Sequence, residues 1–351
     1  MHKKVLIGGG GTGGHLYAII ALSKFLMEKD VDVLIIGSSF GLEKKIFEKY
    51  DFKYYLFPIY GFMGKQIFHK LKSAFSLFYS TIKTVLIIFK FRPQAVIGVG
   101  GFVSFPVVFA AFILNKKRAI LEQNFVPGKA NRLLSHISNR VFLNFPQTKN
   151  YFKCKVEVVG NPIRKSISHL KKEEFLYQGI LHLLVFGGSL GAHSINEAMM
   201  EFAEIYKKNK KREIFVVHQT GKQDYKKVKR YYEKLNLSWK VYDFIEDIGK
   251  VYEKSDIVLS RAGASTITEI ACIGIPVIFV PYPHAIYNHQ YINAKCVEEI
   301  GGAVTVKDSK LNGKIIDDII SDIDKDKLLS MSKNIRKLYN NQNIERIYHW
   351  I

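Results

Sequence analysis

The chain has 351 residues, 48% of them hydrophobic, and a formal net charge of +21 at pH 7. That length is too great for one compact core and suits two domains, and the hydrophobic content is ordinary for a globular protein. Cys154, Cys272 and Cys296 are widely spaced and form no C-x-x-C pair, which argues against a disulfide framework or a zinc site and for a reducing cytoplasm. The charge is uneven. Residues 1–160 hold 23 Lys+Arg against 8 Asp+Glu, and residues 161–351 hold 29 against 23, so an anionic partner is expected at the first half.

The chain opens Met1-His2-Lys3-Lys4 and enters an apolar run, Val5-Leu6-Ile7, too short for a signal peptide. Gly8-Gly9-Gly10-Gly11-Thr12-Gly13-Gly14-His15 follows at once. A strand that turns through glycines into a helix presents bare backbone N–H groups and a helix dipole to an anion. Further strand-like runs are Val33–Ile36, Ala95–Val99, Arg118–Leu121, Val141–Leu143 and Val156–Val159, short and β-branched as in buried parallel strands.

Between Phe62 and Arg92 lie six Lys/Arg and no acid, with Ile67, Leu71, Phe75, Phe78, Ile82, Val85, Leu86 and Phe89 at helical spacing. Two readings fit: a basic amphipathic helix in the interface of an anionic membrane, or a Rossmann-type helix packing its stripe on a sheet. No uninterrupted apolar run reaches the ~18–20 residues of a spanning helix.

Gly160-Asn161-Pro162-Ile163-Arg164 and the charged residues 171–174 read as a connection. The series then restarts with Leu181–Phe186, a second glycine turn at Gly187-Gly188-Ser189-Leu190-Gly191-Ala192, and the runs Ile214–His218, Ile257–Leu259 and Val277–Val280. Leu328–Ile351 reads as one or two helices. The expected division is 1–160, 161–330 and a terminal segment 331–351.

Tandem βαβ series predict an α/β chain with two doubly wound parallel sheets, whose ligands sit at the carboxyl ends of the strands. The unusual loops 8–15, 98–106, 122–128, 187–193, 218–222, 260–266 and 281–290 all fall there, where one interdomain cleft would collect them. Two phosphate-friendly halves point to a nucleotide-sugar enzyme. An NAD site is disfavoured: the second strand ends Ile35-Ile36-Gly37-Ser38-Ser39 and no carboxylate follows until Glu43. A nucleic-acid partner is disfavoured too, since no such motif accompanies the charge.

His15 is placed at a helix N-terminus, where the dipole disfavours the imidazolium and favours a base-competent ring; a solvated capping histidine is the alternative. Ser260–Ile270 combines a strand end, a glycine turn and a helix start. Thr266-x-x-Glu269 fits a capping box, or the turn holds a diphosphate while Glu269 reaches ribose hydroxyls. Pro281-Tyr282-Pro283-His284-Ala285-Ile286-Tyr287-Asn288-His289-Gln290 reads as a rigid hydrogen-bonding loop rather than a metal site.

Taken together, Gly10–His15, Gly98-Val99-Gly100-Gly101-Phe102-Val103-Ser104, Glu122-Gln123-Asn124, Gly160–Arg164, Gly187–Ala192, His218-Gln219-Thr220-Gly221-Lys222, Phe244-Ile245, Arg261-Ala262-Gly263-Ala264 and the 281–290 loop resemble, in order and over nearly the whole chain, the N-acetylglucosaminyltransferase family that makes lipid II in bacterial peptidoglycan synthesis. The resemblance implies a GT-B fold of two Rossmann-like domains, with acceptor on the first, donor nucleotide on the second, and the final helix crossing back. It implies inverting transfer of N-acetylglucosamine from UDP-N-acetylglucosamine to the 4-hydroxyl of lipid I, at the cytoplasmic face of the membrane.

On matching positions, the resemblance puts Thr12, Gly13 and Gly14 on the sugar and diphosphate side and Asn124 on the acetamido sugar. Arg164 and Ser189 fall near phosphate, Ile245 on uracil through its backbone, and Ala264, Ser265, Thr266 and Thr268 around diphosphate and ribose. Glu269 takes the ribose and Gln290 the sugar hydroxyls. Several relatives have Gln-Gln where this chain has His289-Gln290, so the gripping loop is better defined than the gripping side chain. His15 and Glu122 are both candidates for the base. A helix N-terminus with Ser and Thr hydroxyls can hold the leaving diphosphate without a metal or other cofactor.

Overall fold

The computed structural model describes residues 3–11, 13–41, 43–59, 67–339 and 344–351. The chain divides into two compact units, Met1–Arg164 with Asn340–Ile351, and Lys165–Tyr339. The first boundary lies close to the expected one; the second lies beyond it, for a packing reason given below.

In the first unit, β1 (Lys4–Gly8), α1 (Gly13–Met27), β2 (Asp32–Ser38), α2 (Glu43–Lys49), β3 (Lys53–Phe57), α3 (Ile67–Phe91), β4 (Ala95–Gly98), α4 (Ser104–Ile113), β5 (Lys117–Glu122), α5 (Lys129–Ser135), β6 (Arg140–Leu143) and β7 (Val156–Val158) follow in order. The seven strands form one sheet in the order β3-β2-β1-β4-β5-β6-β7, each pairing described being parallel. The order reverses between β1 and β4, so their carboxyl ends open the crevice in which such sheets bind ligands. The central strands are apolar throughout because helices cover both faces: Val5, Ile7, Ile35 and Ile97 pack with α1, and Leu6, Ile36 and Val96 with α3 and α4.

In the second unit come α6 (Lys165–Ser168), β8 (Leu181–Phe186), α7 (His193–Lys208), β9 (Ile214–Gln219), α8 (Tyr225–Lys234), β10 (Lys240–Tyr242), α9 (Ile248–Lys254), β11 (Ile257–Ser260), α10 (Ala264–Ile273), β12 (Val277–Phe279), α11 (His289–Glu299), β13 (Ala303–Thr305), α12 (Gly313–Ser321) and α13 (Lys325–Arg336). The parallel sheet runs β10-β9-β8-β11-β12-β13, with its switch point between β8 and β11. Helix α13 straddles the expected boundary at residue 330 but belongs wholly to this unit. Its Leu328 joins the second core, and the Arg336 guanidinium donates to the carbonyl of Lys172. The last helix, α14 (Ile344–Trp350), belongs to the first unit. There Ile347 is buried and Trp350 meets Phe142 edge-on at 5.5 Å.

Helix α3 departs from the sheet-packing expectation. Its inward face is small and polar: Ser73, Ser76, Ser80 and Thr84 are buried. The large apolar stripe of Leu71, Phe75, Phe78, Ile82, Leu86 and Phe89 points to solvent, with Phe75 72% exposed. Ile88 anchors the helix to the core, with Leu77 and Val85 beside it. Two of these hydroxyls are answered by nearby carbonyls: Thr84 donates to Ser80 O (2.7 Å) and Ser76 to Pro58 O, while the Ser80 hydroxyl is buried without a hydrogen-bond partner among the described residues. By length and composition Leu71–Phe91 is apolar enough to cross a bilayer, with mean hydropathy 1.5, although Lys72, Lys83 and Lys90 interrupt it so that it is not an unbroken apolar run.

Candidate active site

In the first unit the two glycine turns at the switch point lock together. Val99 N–H donates to Gly8 O (2.8 Å), and the Ser104 hydroxyl meets both Gly100 N–H (2.8 Å) and Gly8 O (3.0 Å). Gly100 and Gly101 have φ of +104° and +76°, which glycine adopts without the Cβ penalty. They also leave room for a ring. A Cβ at Gly100 would stand 2.7 Å from Nε2 of His15, and one at Gly101 would stand 2.3 Å from Gly10 O. His15, third residue of α1 after Gly13 and Gly14, therefore seats its imidazole in a notch cut by the second turn. Thr12 lies outside the described residues.

Glu43, the first carboxylate after β2, is structural. Its buried carboxylate accepts Gly11 N–H at 2.7 Å. It thereby supplies an anion to the first glycine turn from within the protein. A lone acid just after a glycine-rich β2–α2 turn was the available signal.

Glu122 ends β5. Its buried carboxylate accepts four N–H donors: Asn124 N (2.9 Å) and Nδ2 (3.2 Å) on Oε1, and Gly128 N (3.1 Å) and Asn131 Nδ2 (2.9 Å) on Oε2. Burial raises its pKa, and those four bonds pull it back. Four donors occupy the roughly four lone-pair sites of a carboxylate. Glu122 thus pins the 122–131 loop and orients Asn124, whose carbonyl also accepts the Thr148 hydroxyl (3.1 Å). The guanidinium of Arg164 stacks on the Tyr17 ring, 4.7 Å from its centroid, which places it beside α1.

In the second unit Gly191 packs directly on the backbone of the β9 loop; a Cβ there would lie 1.9 Å from Thr220 O. The buried side chain of Gln219 bridges two further loops. Its Nε2 donates to Gly188 O (2.9 Å) and its Oε1 accepts Ile245 N–H (2.8 Å). The turn carrying Ser189 and the turn carrying Ile245 are thus held in register by one amide. Beneath them His218 is buried between Tyr232 Oη (2.9 Å from Nδ1) and Asn196 Oδ1 (3.0 Å from Nε2). Asn196 spends its own amide hydrogens on Thr220 O and Asp224, so its oxygen accepts from His218. Burial pulls the His218 pKa down to about 3.

Across the switch point, α10 begins at Gly263, which has extended backbone and no side-chain cap. The expected capping box is therefore not formed: Thr266 is the third residue of the helix, and Glu269 lies buried with an oxygen 3.4 Å from Tyr252 Oη. Ala264, Ser265 and Thr266 form the first turn, where helix N–H groups lack intrahelical partners. Thr268 turns back to Ala264 O (2.9 Å). Arg261 does not extend toward this turn. It donates to Val280 O (3.0 Å) and Pro281 O (3.2 Å) and pairs with Asp308, fixing the start of the 281–290 loop. Gln290 closes that loop by accepting Tyr282 N–H (3.0 Å).

The N-terminal domain model of glycosyltransferase family 28 matches residues 5–143, and the C-terminal domain model matches residues 182–346. With the two doubly wound sheets, they define a GT-B glycosyltransferase. A Thermodesulfovibrio yellowstonii protein named UDP-N-acetylglucosamine–N-acetylmuramyl-(pentapeptide) pyrophosphoryl-undecaprenol N-acetylglucosamine transferase is 42% identical over 321 residues, covering 89% of this chain and 87% of the relative. A Coxiella burnetii protein of the same name is 36% identical over 350 residues, covering 98% and 97%. The crystal structure of Acinetobacter baumannii MurG matches with a TM-score of 0.79 at 27% identity, over 99% of both chains. The chain belongs to the MurG family of N-acetylglucosamine transferases.

Proposed function

We propose that the protein moves N-acetylglucosamine from UDP-N-acetylglucosamine to the 4-hydroxyl of the N-acetylmuramoyl-pentapeptide of lipid I, inverting the anomeric centre. The product is lipid II, which feeds peptidoglycan synthesis and with it cell shape and division. The observation that carries the mechanism is the imidazole of His15 seated in the Gly100–Gly101 notch at the start of α1. His15 takes the proton as the acceptor oxygen bonds to the sugar C1 and the bond from C1 to the UDP oxygen breaks. Glu122, with its lone pairs occupied, serves instead to hold Asn124 toward the acetamido sugar. A base so placed is worth about 10²–10⁴-fold.

In the second unit the leaving diphosphate is held by the first turn of α10 at Ala264, Ser265 and Thr266 and by Ser189; Arg164 keeps the phosphate role that the family resemblance gives it. Gly13 and Gly14 take the sugar and diphosphate role, which the family resemblance also gives to Thr12. Ile245 meets uracil through its carbonyl, because its N–H is already given to Gln219. Glu269 takes ribose and Gln290 the sugar hydroxyls.

The protein works as a peripheral protein on the cytoplasmic face of the membrane. Supporting this is α3, with its outward apolar stripe and flanking lysines, suited to anionic lipid.

The test is UDP release from UDP-N-acetylglucosamine with and without a short-chain lipid I analogue. Release that needs the acceptor, and is absent with UDP-N-acetylgalactosamine or UDP-glucose, supports the reading. Failure to bind any UDP-sugar overturns it.

A further inference from the structure

We propose that Tyr252 is a positioning residue for the ribose of the donor nucleotide: its phenol holds the Glu269 carboxylate where the ribose hydroxyls reach it, and joins that carboxylate to the turn that meets uracil. This assignment rests on the preceding reading, in which Glu269 takes the ribose and Ile245 the uracil.

Tyr252 lies on α9 and is fully buried, its ring meeting Phe186 edge-on at 6.2 Å and 69°. Phe186 ends β8 directly before the Gly187–Ala192 turn. The backbone is fixed as well, since Tyr252 O accepts Ser255 N–H (3.0 Å), the bond that closes α9. With ring and backbone both held, the hydroxyl has a defined place, 3.4 Å from Oε2 of Glu269. An ionised carboxylate only accepts, so the phenol donates. Glu269 is itself only 7% exposed, and a charge that deep is costly to keep without donors. Its long side chain also loses rotamer freedom when it is ordered; a bond from a stiff, packed ring pre-orders it before the nucleotide arrives. The separation is long for a bond to a carboxylate, as site bonds often are before the ligand draws them in.

Topology gives the contact its use. Helix α9 starts three residues past Ile245, so the uracil turn runs straight into the helix that carries Tyr252. Glu269 stands in the second turn of α10, on the far side of β11 and 17 positions along the chain. Gln219 holds the same uracil turn through Ile245 N–H (2.8 Å). The groups that read the base and the ribose are therefore set in register through one phenol.

The test is titration calorimetry on the full chain with UDP and with dideoxy-UDP, which lacks both ribose hydroxyls. The parent protein is expected to prefer UDP about thirtyfold, and Tyr252→Phe, which keeps the buried ring, should cut that preference to about threefold. The loss should fall on UDP, with dideoxy-UDP binding unchanged within about twofold. In a Glu269→Gln background, Tyr252→Phe should alter UDP affinity by less than about twofold, because the phenol then has no carboxylate to hold. Equal weakening of both nucleotides by Tyr252→Phe would mark Tyr252 as packing only and overturn its positioning role; unchanged UDP affinity would do the same. If Tyr252→Phe does not fold, the fluorine resonance of fluorotyrosine placed at position 252 reads the contact instead. It should move with UDP and hold still with dideoxy-UDP, and an identical response to both overturns the role. A parent protein that binds the two nucleotides equally would remove the ribose from Glu269, and Tyr252 with it, while leaving UDP binding in place. Failure to bind either nucleotide would overturn the function itself.

Discussion

The ring of His15 occupies the space that a side chain at Gly100 would fill, with Nε2 2.7 Å from where that Cβ would stand. The proposed base is thus positioned by the absence of an atom on a neighbouring loop. Gly100→Ala should push the imidazole aside and strain a backbone at φ +104°. We expect kcat to fall by about 10²-fold, close to His15→Ala, with KM for UDP-N-acetylglucosamine within about threefold. Steady-state kinetics on both variants checks this. Full activity in His15→Ala would remove the residue from the mechanism.

Glu122→Gln replaces an oxygen that accepts by an amide that donates, opposite the N–H groups of Gly128 and Asn131. The buried loop then loses about 1–3 kcal/mol. A lower denaturation midpoint, together with reduced kcat/KM through a loosened Asn124, is the expected pair. Loss of activity with wild-type stability would instead mark Glu122 as acting on the substrate.

Gln219→Leu keeps the bulk but removes both bonds that tie Gly188 O and Ile245 N–H. With the two proposed donor loops released from one another, KM for UDP-N-acetylglucosamine should rise about tenfold with a smaller change in kcat. Isothermal titration with UDP reads the same loss without turnover.

His218 contributes a pH dependence of definite sign. Its folded pKa of about 3 lies below the ordinary 6.5, so between those values the unfolded chain binds a proton that the native one refuses. Stability is full above pH 6.5 and falls as the pH drops toward 3, by up to ~1.4 kcal/mol per unit. Glu122 acts oppositely, since its raised pKa favours the fold when protonated. Urea unfolding between pH 7 and 5 should show the histidine slope, and His218→Gln should flatten it.

The outward stripe of α3 predicts a variant that changes binding but not folding. Phe75→Ser and Phe78→Ser alter exposed side chains, so thermal midpoints should stay within about 2 °C. Co-sedimentation with anionic vesicles should weaken at least tenfold per pair, at about 25 cal/mol per Å² of apolar surface withdrawn from the interface. Added salt should weaken binding of the parent protein further.

Interior strands such as Val5–Ile7 and Leu181–Phe186 were legible because helices cover both faces and leave unbroken apolar runs. Edge strands β3, β10 and β13 were not. Each has one neighbour in the sheet, and Lys53–Phe57 alternates between wet and buried sides with lysine and tyrosine in place. Gln219 was not legible as a positioning residue, since its partners lie 26 and 31 positions away, and the lone acid Glu43 did not by itself name its partner 32 positions away.

By itself the sequence determined two parallel α/β units and the glycine turns at their strand ends, because periodicity and turn chemistry are local properties. Tertiary structure decided what each turn holds. It assigned the lone pairs of Glu122 to four N–H donors, moved the start of α10 from the Thr266 box to Gly263, and turned the apolar side of α3 outward. Those outcomes depend on which distant groups compete for the same oxygen, the same N–H or the same buried face, and only the folded chain brings the competitors together.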